Sequence, residues 1–517
     1  MGDEPAGRPS GRASPIPEHF LGVDLGTTGA RAAVFDGAAR LLGEATREYT
    51  LYTPRPGWAE QDAEEVWTTA ASCIRSAVRR AGLRRPRVAV GISGTFHNVL
   101  PIGHDGRPRG RALIWADTRA GAEAAAIKAG RDAQALYERS GCPIHPMYLP
   151  AKLRWLRQHG GDAPRYGTLM EEFAHRLTGV WACSLSAASG TGLLDMRRRR
   201  WDEELLEIAG IGAERLGELV EPTEPLGQLS DDAARATGLD RASLVVPGAG
   251  DGVLSSLGAG TIGPGQMTAT IGTSGAVRLV ADAPKVDRQA RTWCYYLAAG
   301  RWVAGAAINN GGIAFRWSAE KLLRAGSRAY QRTLDWAEQV GPGANGLLFL
   351  PFLTGERAPY WNADARGVLA GLAIEHDHRH VARATLEGIC YRMRSIALAL
   401  DEVAGPIAET RATGGYTRSP FWLQMLADVL ERPLVVPSVQ EASALGAAEL
   451  AMLGTGALPD LAATRAFVTT TAPIHPRPDP AATYRRAYDL WISLYWALAP
   501  HFTTLATLQR DLATPVL

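Results

Sequence analysis

Two short stretches of the chain share one pattern of glycines and hydroxyl residues, and each lies between strand-like segments. LGTTGA (25–30) matches IGTSGA (271–276) class for class at every position. Glycines let backbone N–H groups approach an anion closely, and threonine and serine hydroxyls donate to phosphate oxygens. Either loop alone would be read as an ordinary tight turn. Their recurrence predicts two related domains that each present a phosphate-binding hairpin to a shared cleft.

The two stretches differ at the position two residues before their first glycine. The first has Asp24 there, and the second has Thr270. A carboxylate beside phosphate is repulsive unless a cation lies between them, and Mg²⁺ commonly binds one or two carboxylates together with substrate phosphates. The pattern therefore predicts that Asp24 faces a magnesium ion through water. The alternative is an aspartate at a strand end that bonds only to its own turn.

Other common phosphate and nucleophile motifs are missing or incomplete. The sequence has no GxxxxGK[ST] P-loop, and its one GxGxxG (258–263) is followed by Pro264 where a dinucleotide-binding fold needs a helix. Neither GISGT nor GTSGA completes the GxSxG elbow of hydrolases. The paired hairpins are therefore the main candidate for chemistry.

The apolar pattern predicts the elements that must position these hairpins. Strands and helices recur in an order typical of α/β layers. Strands are predicted within 20–48, at 87–93, within the strand-turn unit SLVVPGAGDG (243–252) and on both sides of the turn in 266–280; helices are predicted after the cap Asp62, at 381–403, at 420–431 and over 483–502. The last of these carries an aromatic stripe, which predicts docking on the core.

Length and composition exclude several classes of function. At 517 residues the chain should form at least two domains, and its net charge of +2 gives no case for nucleic acid or a membrane surface as partner. The five cysteines are scattered without metal or disulfide spacing, which favours a cytoplasmic location. Residues 1–18 are rich in proline, glycine, arginine and serine, and we expect a disordered tail there.

Further motifs make residues 20 to about 455 resemble the FGGY carbohydrate kinases of the actin, Hsp70 and sugar-kinase superfamily. The motifs are IWADTR (114–119), KLRWLRQH (152–159), PGAGDGVLSSLG (247–258), GERAPYWNADARGVLAGL (355–372), ATGGYTRSPFW (412–422) and EASALGAAELA (441–451). One departure is Leu149, where the family has a small residue three positions before Lys152. Within the family, SGCPIHPM (140–147) and AINNGGIAFRW (307–317) are most similar to gluconate kinases, with xylulose kinases next.

The resemblance implies an α/β fold of two duplicated actin-like ATPase (ribonuclease H-like) domains around a central cleft. The implied division is a tail (1–18), an N-terminal domain for sugar and phosphate (19–243), a C-terminal domain for nucleotide and catalytic base (244–455), and a helical extension (456–517). The implied reaction is ATP- and Mg²⁺-dependent phosphorylation of a small sugar or sugar acid, gluconate first. The resemblance leaves open whether the protein forms a homodimer. The rival from another class is a nucleotide switch like actin or Hsp70, which would not need a sugar site.

The resemblance also implies roles for individual residues. Asp251, in GAGDG, matches the family's catalytic base. The residues that match nucleotide contacts are Gly26, Thr27, Thr28, Arg31, Gly272, Thr273, Gly311, Gly414, Gly415 and Ser419. The residues expected to contact the sugar are Phe96, His97, Trp115, Asp117 and Arg119, together with Asp251. Among these, Asp117 is the expected hydrogen-bond acceptor, Trp115 the stacking wall, and His97 or Arg119 the cation for a carboxylate.

Overall fold

A computed structural model of the chain describes residues 16–439 and 441–512. Most of the predicted tail, residues 1–15, lies outside the described residues. Within the described part of the chain, no helix is both long enough and apolar enough to cross a bilayer.

The strands fall into two large sheets and several two-stranded pairs. In chain order they are β1 (His19–Leu25), β2 (Gly29–Asp36), β3 (Leu41–Glu48), β4 (Glu60–Gln61), β5 (Val88–Gly94), β6 (Leu100–Ile102), β7 (Ala112–Leu113), β8 (Arg165–Gly167), β9 (Ala182–Ser184), β10 (Leu194–Asp195), β11 (Arg200–Trp201), β12 (Glu218–Val220), β13 (Gly227–Gln228), β14 (Leu244–Gly250), β15 (Gln266–Ile271), β16 (Gly275–Ala281), β17 (Trp293–Ala298), β18 (Arg301–Ile308), β19 (Leu348–Leu350), β20 (Val368–Ala370), β21 (Glu409–Thr413) and β22 (Leu434–Val435).

The α-helices are α1 (Ala63–Arg80), α2 (Gly121–Gly130), α3 (Ala133–Ser140), α4 (Leu149–Gln158), α5 (Leu169–Thr178), α6 (Leu185–Ser189), α7 (Glu203–Ala209), α8 (Asp231–Thr237), α9 (Asp251–Gly258), α10 (Gly312–Trp317), α11 (Ala329–Glu338), α12 (His378–Ala404), α13 (Pro420–Leu430), α14 (Ala442–Gly454), α15 (Pro478–Leu498) and α16 (Phe502–Leu512). Helices such as α1, α12 and α14 pack on these sheets, and others, such as α2, α4 and α7, pack on one another.

Each large sheet contains the same five-strand core. In the first, antiparallel β1, β2 and β3 continue through β1 into parallel β5 and β14. In the second, antiparallel β15, β16 and β18 continue through β15 into parallel β21 and β22. Strands β13 and β17 extend opposite ends of this core. The shared order confirms the duplication predicted from the two hairpins and the ribonuclease H-like fold that the resemblance implied.

Most predicted elements lie where the sequence placed them. Asp62 caps α1 by accepting from the backbone N–H groups of Glu64 and Glu65, and the helix predicted at 381–403 is α12. The aromatic stripe of α15 is buried, and its Trp491 indole N–H donates to the carbonyl of Phe349 at 2.8 Å. The docking role predicted for the helix over 483–502 is confirmed for α15.

The strand β14 lies in the first sheet, although the predicted division assigns its residues to the C-terminal domain. It runs parallel to β5, so that Gly250 is opposite Gly94. The physical reason is that β14 supplies backbone hydrogen bonds to an otherwise open edge of β5, which a strand pattern alone does not reveal. The chain therefore leaves the first sheet after residue 250, and the domain boundaries themselves stay a prediction.

Helices α9 and α14 lie between the two sheets. The helix α14 packs its backbone directly on β1 and β5 of the first sheet, and α9 contacts strands of both sheets. A Cβ atom added to Gly22 would lie 1.8 Å from the carbonyl oxygen of Ala444, and one added to Gly91 would lie 1.8 Å from that of Ala447. Only glycine allows this approach, so a helix from the end of the second half is locked onto the first sheet.

Replacing Gly91 with alanine should therefore destabilise the protein. The new methyl group would meet backbone rather than a flexible side chain, so we expect a loss of about 1–3 kcal/mol in the free energy of unfolding and a lower apparent melting temperature. The matched control is Gly37→Ala, because an added Cβ there has nothing within 4 Å. Equal melting temperatures for the two variants in a thermal scan would contradict the close contact.

Candidate active site

The carboxyl ends of β1, β5 and β14 bring two aspartates to one edge of the first sheet. Asp24 is the second-last residue of β1, beside Ser93 of β5, and Asp251 follows the last residue of β14. Strands β1 and β14 are separated by one strand, so the two backbones are about 10 Å apart. The carboxyl edge of parallel strands is the usual place for ligands in α/β sheets.

One oxygen of Asp24 is available for a ligand. Its Oδ1 accepts a hydrogen bond of 2.6 Å from the Ser93 hydroxyl, and its Oδ2 accepts none from the described residues. Burial raises the pKa of this carboxyl, and Ser93 and Arg31 offset part of the rise. Thr270 occupies the equivalent place in the second sheet, with its hydroxyl 2.8 Å from that of Thr413. The two copies thus share their register, and only the first carries a carboxylate.

Asp251 lies in an environment that tunes it towards neutral pH. Burial and then the nearby charge of Asp24 raise its pKa to about 6, while Arg278 and the Gly252 N–H, which donates to Oδ1 at 2.6 Å, lower it. A carboxylate with such a pKa is ionised at pH 7 and still basic enough to accept a proton. Asp251 also starts α9, whose dipole favours its charge.

Arg278 of β16 reaches the same edge from the second sheet. Its Nη1 donates to the Thr270 hydroxyl at 3.3 Å, and its Nε is buried without a hydrogen-bond partner in the described chain. A Cβ atom added to Gly252 would lie 3.2 Å from that Nε, which places the guanidinium beside Asp251. Burial lowers the pKa of Arg278 to about 10, so it remains a cation.

The two predicted hairpins offer free backbone donors. Gly26 N–H closes the first turn on the carbonyl of Gly29, and Gly272 N–H closes the second on that of Ser274, both at 2.9 Å. Among the described residues, no hydrogen bond engages the N–H groups of Thr27, Thr28, Thr273 and Ser274. The Gln61 amide holds the carbonyls of Gly26 and Thr27. Each hairpin therefore has donors ready for an anion.

A cavity of about 860 Å³ opens beside the second hairpin. Four of the predicted nucleotide residues line it: Gly272, Thr273, Gly415 and Ser419. Its remaining walls come from α10, α11 and the start of α13, including Phe315, Tyr330 and Pro420. A Cβ atom added to Gly415 would meet nothing within 4 Å, so this glycine leaves one wall flat and open. The size and the partly apolar lining suit a small ligand with an aromatic ring.

The other predicted nucleotide residues lie around this cavity or have protein partners. Gly414 and Gly311 pack against backbone, because an added Cβ would lie 2.4 Å from the Ile271 carbonyl oxygen and 2.5 Å from the Ser274 carbonyl oxygen respectively. Ser419 caps α13 by accepting from the N–H of Trp422, as predicted. Arg31 forms an ion pair with Glu441 and also donates to Thr46, so its contact with a nucleotide stays a prediction.

His97 lies in a pocket of aromatic rings, where burial favours its neutral form. Its ring stacks on Phe96 and meets Tyr148 edge-on, with centroids 5.5 and 4.8 Å apart. Its Nδ1 lies 2.5 Å from the Gly190 carbonyl, so Nδ1 carries the proton and Nε2, 3.4 Å from the Tyr295 hydroxyl, is the acceptor. Burial lowers the pKa of His97 to about 3. The prediction of His97 as the cation for a carboxylate is therefore not supported by its charge.

Asp117 and Arg119 are largely occupied by each other. Asp117 is fully buried and accepts from the Arg119 guanidinium through both oxygens, and from the backbone N–H of Ala59 at 2.7 Å. The Arg119 side chain is only 4% exposed, pairs also with Glu60, and lies over the ring of Trp58. This pair braces the loop around Trp115, and neither group has its charge free for a sugar.

Trp115 connects the first hairpin to the second half of the chain. Its indole N–H donates to the Thr27 hydroxyl at 3.0 Å, and the Arg357 guanidinium lies 5.0 Å from its ring. Lys152, which is fully buried, holds the loops on both sides of this region, because its ammonium donates to the carbonyls of His97 and Ile114 at 2.6 and 2.7 Å. Burial lowers the pKa of Lys152 to about 7.

Sequence reasoning gave no role to three charged residues of this cleft. Arg357 lies within GERAPYWNADARGVLAGL, Lys152 begins KLRWLRQH, and Arg278 follows IGTSGA by two positions, but spacing along the chain does not show which charges converge. A usable signal was the type of residue: an arginine inside an otherwise apolar strand, as in GAVRLV (275–280), needs a partner that the strand itself does not provide.

Comparison with known proteins supports a single family over most of the chain. Residues 19–258 match the N-terminal domain of the FGGY family of carbohydrate kinases, and residues 267–455 match its C-terminal domain. The gluconokinase of Bacillus subtilis is 36% identical over 509 residues, and that of Bacillus licheniformis 35%; each match covers 96% of this chain and 99% of the relative.

Solved structures give the same picture. A gluconate kinase from Lactobacillus acidophilus superposes with a TM-score of 0.90 at 30% identity, covering 94% of this chain and 99% of its own. A xylulose kinase from the same organism has the same TM-score and coverage at 31% identity. The fold similarity alone therefore does not separate these two substrates.

Filling the open wall of the cavity should impair nucleotide binding. In Gly415→Val the added side chain would fill space inside the cavity. We therefore expect binding of an ATP analogue to weaken by about tenfold or more. The matched control is Gly130→Val, at an exposed helix end where an added Cβ also meets nothing within 4 Å. Calorimetric titration that gives both variants the dissociation constant of the unmodified protein would exclude this cavity as the nucleotide site.

Proposed function

The chain belongs to the FGGY family of carbohydrate kinases, and we propose that it transfers the γ-phosphate of ATP to the C6 hydroxyl of D-gluconate, giving 6-phosphogluconate. The observation that carries the choice of substrate is the match to two gluconokinases over nearly the whole length of both partners. Family membership makes the chain a phosphotransferase with an alcohol acceptor, and this argues against a switch without a sugar substrate.

Asp251 is the proposed catalytic base. It would accept the proton of the attacking hydroxyl, and positioned proton transfer of this kind typically gives a rate factor of about 10² to 10⁴. Its pKa of about 6 suits the role, because most molecules have the ionised form at pH 7. Arg278 beside it favours that ionised form and faces the phosphate hairpins, where negative charge spreads during transfer.

The two hairpins are proposed to hold the phosphates of ATP from opposite sides. The N–H groups of Thr27, Thr28 and Thr273 are free to donate, and donors fixed before the reaction stabilise charge without reorganisation. The adenosine end would occupy the cavity lined by Gly415 and Ser419. Trp115 would order the sugar side of the first hairpin through its bond to Thr27.

The residues present fit a magnesium ion at Asp24. The Oδ2 of this carboxyl accepts no hydrogen bond from the described residues, and hard cations take oxygen ligands. No cluster of three or more His, Cys, Asp or Glu side chains that could hold a metal occurs within residues 16–439 and 441–512, so phosphate and water would supply the other ligands. The ion would neutralise phosphate charge.

A substrate panel tests the proposal. We expect ADP release with gluconate to exceed that with xylulose, ribulose, glycerol and erythritol at least tenfold in kcat/KM. The alternative is a xylulokinase, because a xylulose kinase has the same structural similarity as a gluconate kinase. A clear preference for xylulose or glycerol would make the gluconate assignment wrong while leaving the kinase assignment in place. ATP turnover that no sugar alters would make both wrong.

The pH dependence should report the base. Since Asp251 must be ionised, kcat/KM should fall about tenfold per pH unit below pH 6 and level off above pH 7. Arg278 lowers the pKa of Asp251, so Arg278→Gln should raise that pKa and shift the acidic limb to higher pH. The control is Asp251→Asn, which should lose most activity and the limb with it. A limb that stays in place in Arg278→Gln would show that another group titrates.

A further inference from the structure

A sugar acid brings a carboxylate into the cleft, and that charge needs a cation. The two cations expected from the sequence are unsuitable, because His97 is neutral and Arg119 is paired with Asp117 and Glu60. Lys152 is buried and directs its ammonium at two backbone carbonyls. The cation must therefore come from another part of the cleft.

Arg357 forms no ion pair with a carboxylate of the described residues. Its guanidinium Nε donates to Asn309 Oδ1 at 2.7 Å, and its Nη2 donates more weakly to the Ile308 carbonyl at 3.3 Å. The nearest acid along the chain, Glu356, is engaged elsewhere: one oxygen accepts from backbone N–H groups, and the other accepts from Arg392. Nη1 of Arg357 makes no hydrogen bond to the described residues.

The surroundings of Arg357 are those of a substrate pocket. Its guanidinium lies 5.0 Å from the Trp115 ring, and its charge lowers the pKa values of both His97 and His145. The hydroxyls of Tyr148 and Tyr295 are 2.8 Å apart, and both tyrosines lie close enough to Arg357 to affect its pKa. Burial lowers the pKa of Arg357 itself, and the nearby charge of Glu356 offsets only part of that effect.

Arg357 also lies in the same cleft as the proposed base, because its charge lowers the pKa of Asp251 after burial and Asp24 have raised it. Of the two cleft arginines, Arg278 acts more strongly on the pKa of Asp251, and Arg357 acts more weakly. A ligand whose reacting hydroxyl is at one end and whose carboxylate is at the other needs a base and a cation in the same pocket but not in contact. No ion pair joins Asp251 and Arg357 in the described chain, so Asp251 does not occupy the charge of Arg357.

We propose that Arg357, held by Asn309 and placed over the Trp115 ring, binds the carboxylate of the sugar acid and makes this kinase prefer acids to neutral polyols. The proposal rests on the proposed function. Nη1 of the guanidinium makes no hydrogen bond to the described residues, so it can offer a carboxylate a charge-assisted hydrogen bond. A neutral sugar would leave this charge unpaired, so the same residue would also select against ketoses and polyols.

The test compares gluconate with glucitol, which has a CH₂OH group in place of the carboxylate. In Arg357→Gln we expect kcat/KM for gluconate to fall about 10- to 100-fold, while the Ki of glucitol as a competitor and the KM for ATP change less than about threefold. Arg357→Lys keeps the positive charge, so its kcat/KM for gluconate should lie between those of the unmodified enzyme and Arg357→Gln. Arg278→Gln is the matched control, because it should lower the turnover of gluconate without weakening gluconate binding relative to glucitol.

The possible failures can be told apart. Should the unmodified enzyme turn over xylulose but not gluconate, the proposed function and the carboxylate site both fall. Where the unmodified enzyme prefers gluconate and Arg357→Gln weakens gluconate and glucitol equally, the carboxylate site alone is wrong and Arg357 is structural. Melting temperatures within about 2 °C for all variants would show that the kinetic changes are not caused by unfolding.

Discussion

The backbone contact of α14 with the glycines of β1 and β5 sets the geometry on which the rest of the cleft depends. Ala444 and Ala447 approach Gly22 and Gly91 so closely that no side chain fits between them. Asp24 lies two residues after Gly22 on β1. The Ser443 hydroxyl, at the start of α14, donates to the backbone carbonyl of Asp251 at 3.3 Å. One helix thereby fixes both carboxylates, although it follows the last strand of the second sheet in the chain.

Electrostatics in the cleft divides into two parts. On the phosphate side, burial and then the charge of Asp24 raise the pKa of Asp251, and Arg278 and the Gly252 N–H offset part of this rise. On the sugar side, Arg357 lies near Tyr148, Tyr295 and Trp115 and forms no ion pair with the described residues, although the charge of Glu356 acts on it. Partial burial makes each of these charges costly alone, and phosphates, a cation and a sugar acid are the groups that would complete them.

The repeated hairpins, the strand order and the main helices could be predicted because short-range patterns determine them. The Gly-Thr loops need particular backbone conformations, and the apolar spacing of α12 reports its buried face. The membership of β14 and the docking of α14 could not be predicted, because both depend on pairing between distant segments. For the same reason the sequence indicated His97 and Arg119 as cations: only the fold shows that one is desolvated and the other already paired.

The most direct test is a crystal structure with gluconate, magnesium and a non-hydrolysable ATP analogue. The account predicts that an oxygen of Asp251 lies within about 3 Å of the C6 hydroxyl oxygen, with the sugar carboxylate on Arg357 and the triphosphate between the two hairpins. Gluconate bound the other way round, with its carboxylate towards the phosphates and its C6 hydroxyl away from Asp251, would contradict it.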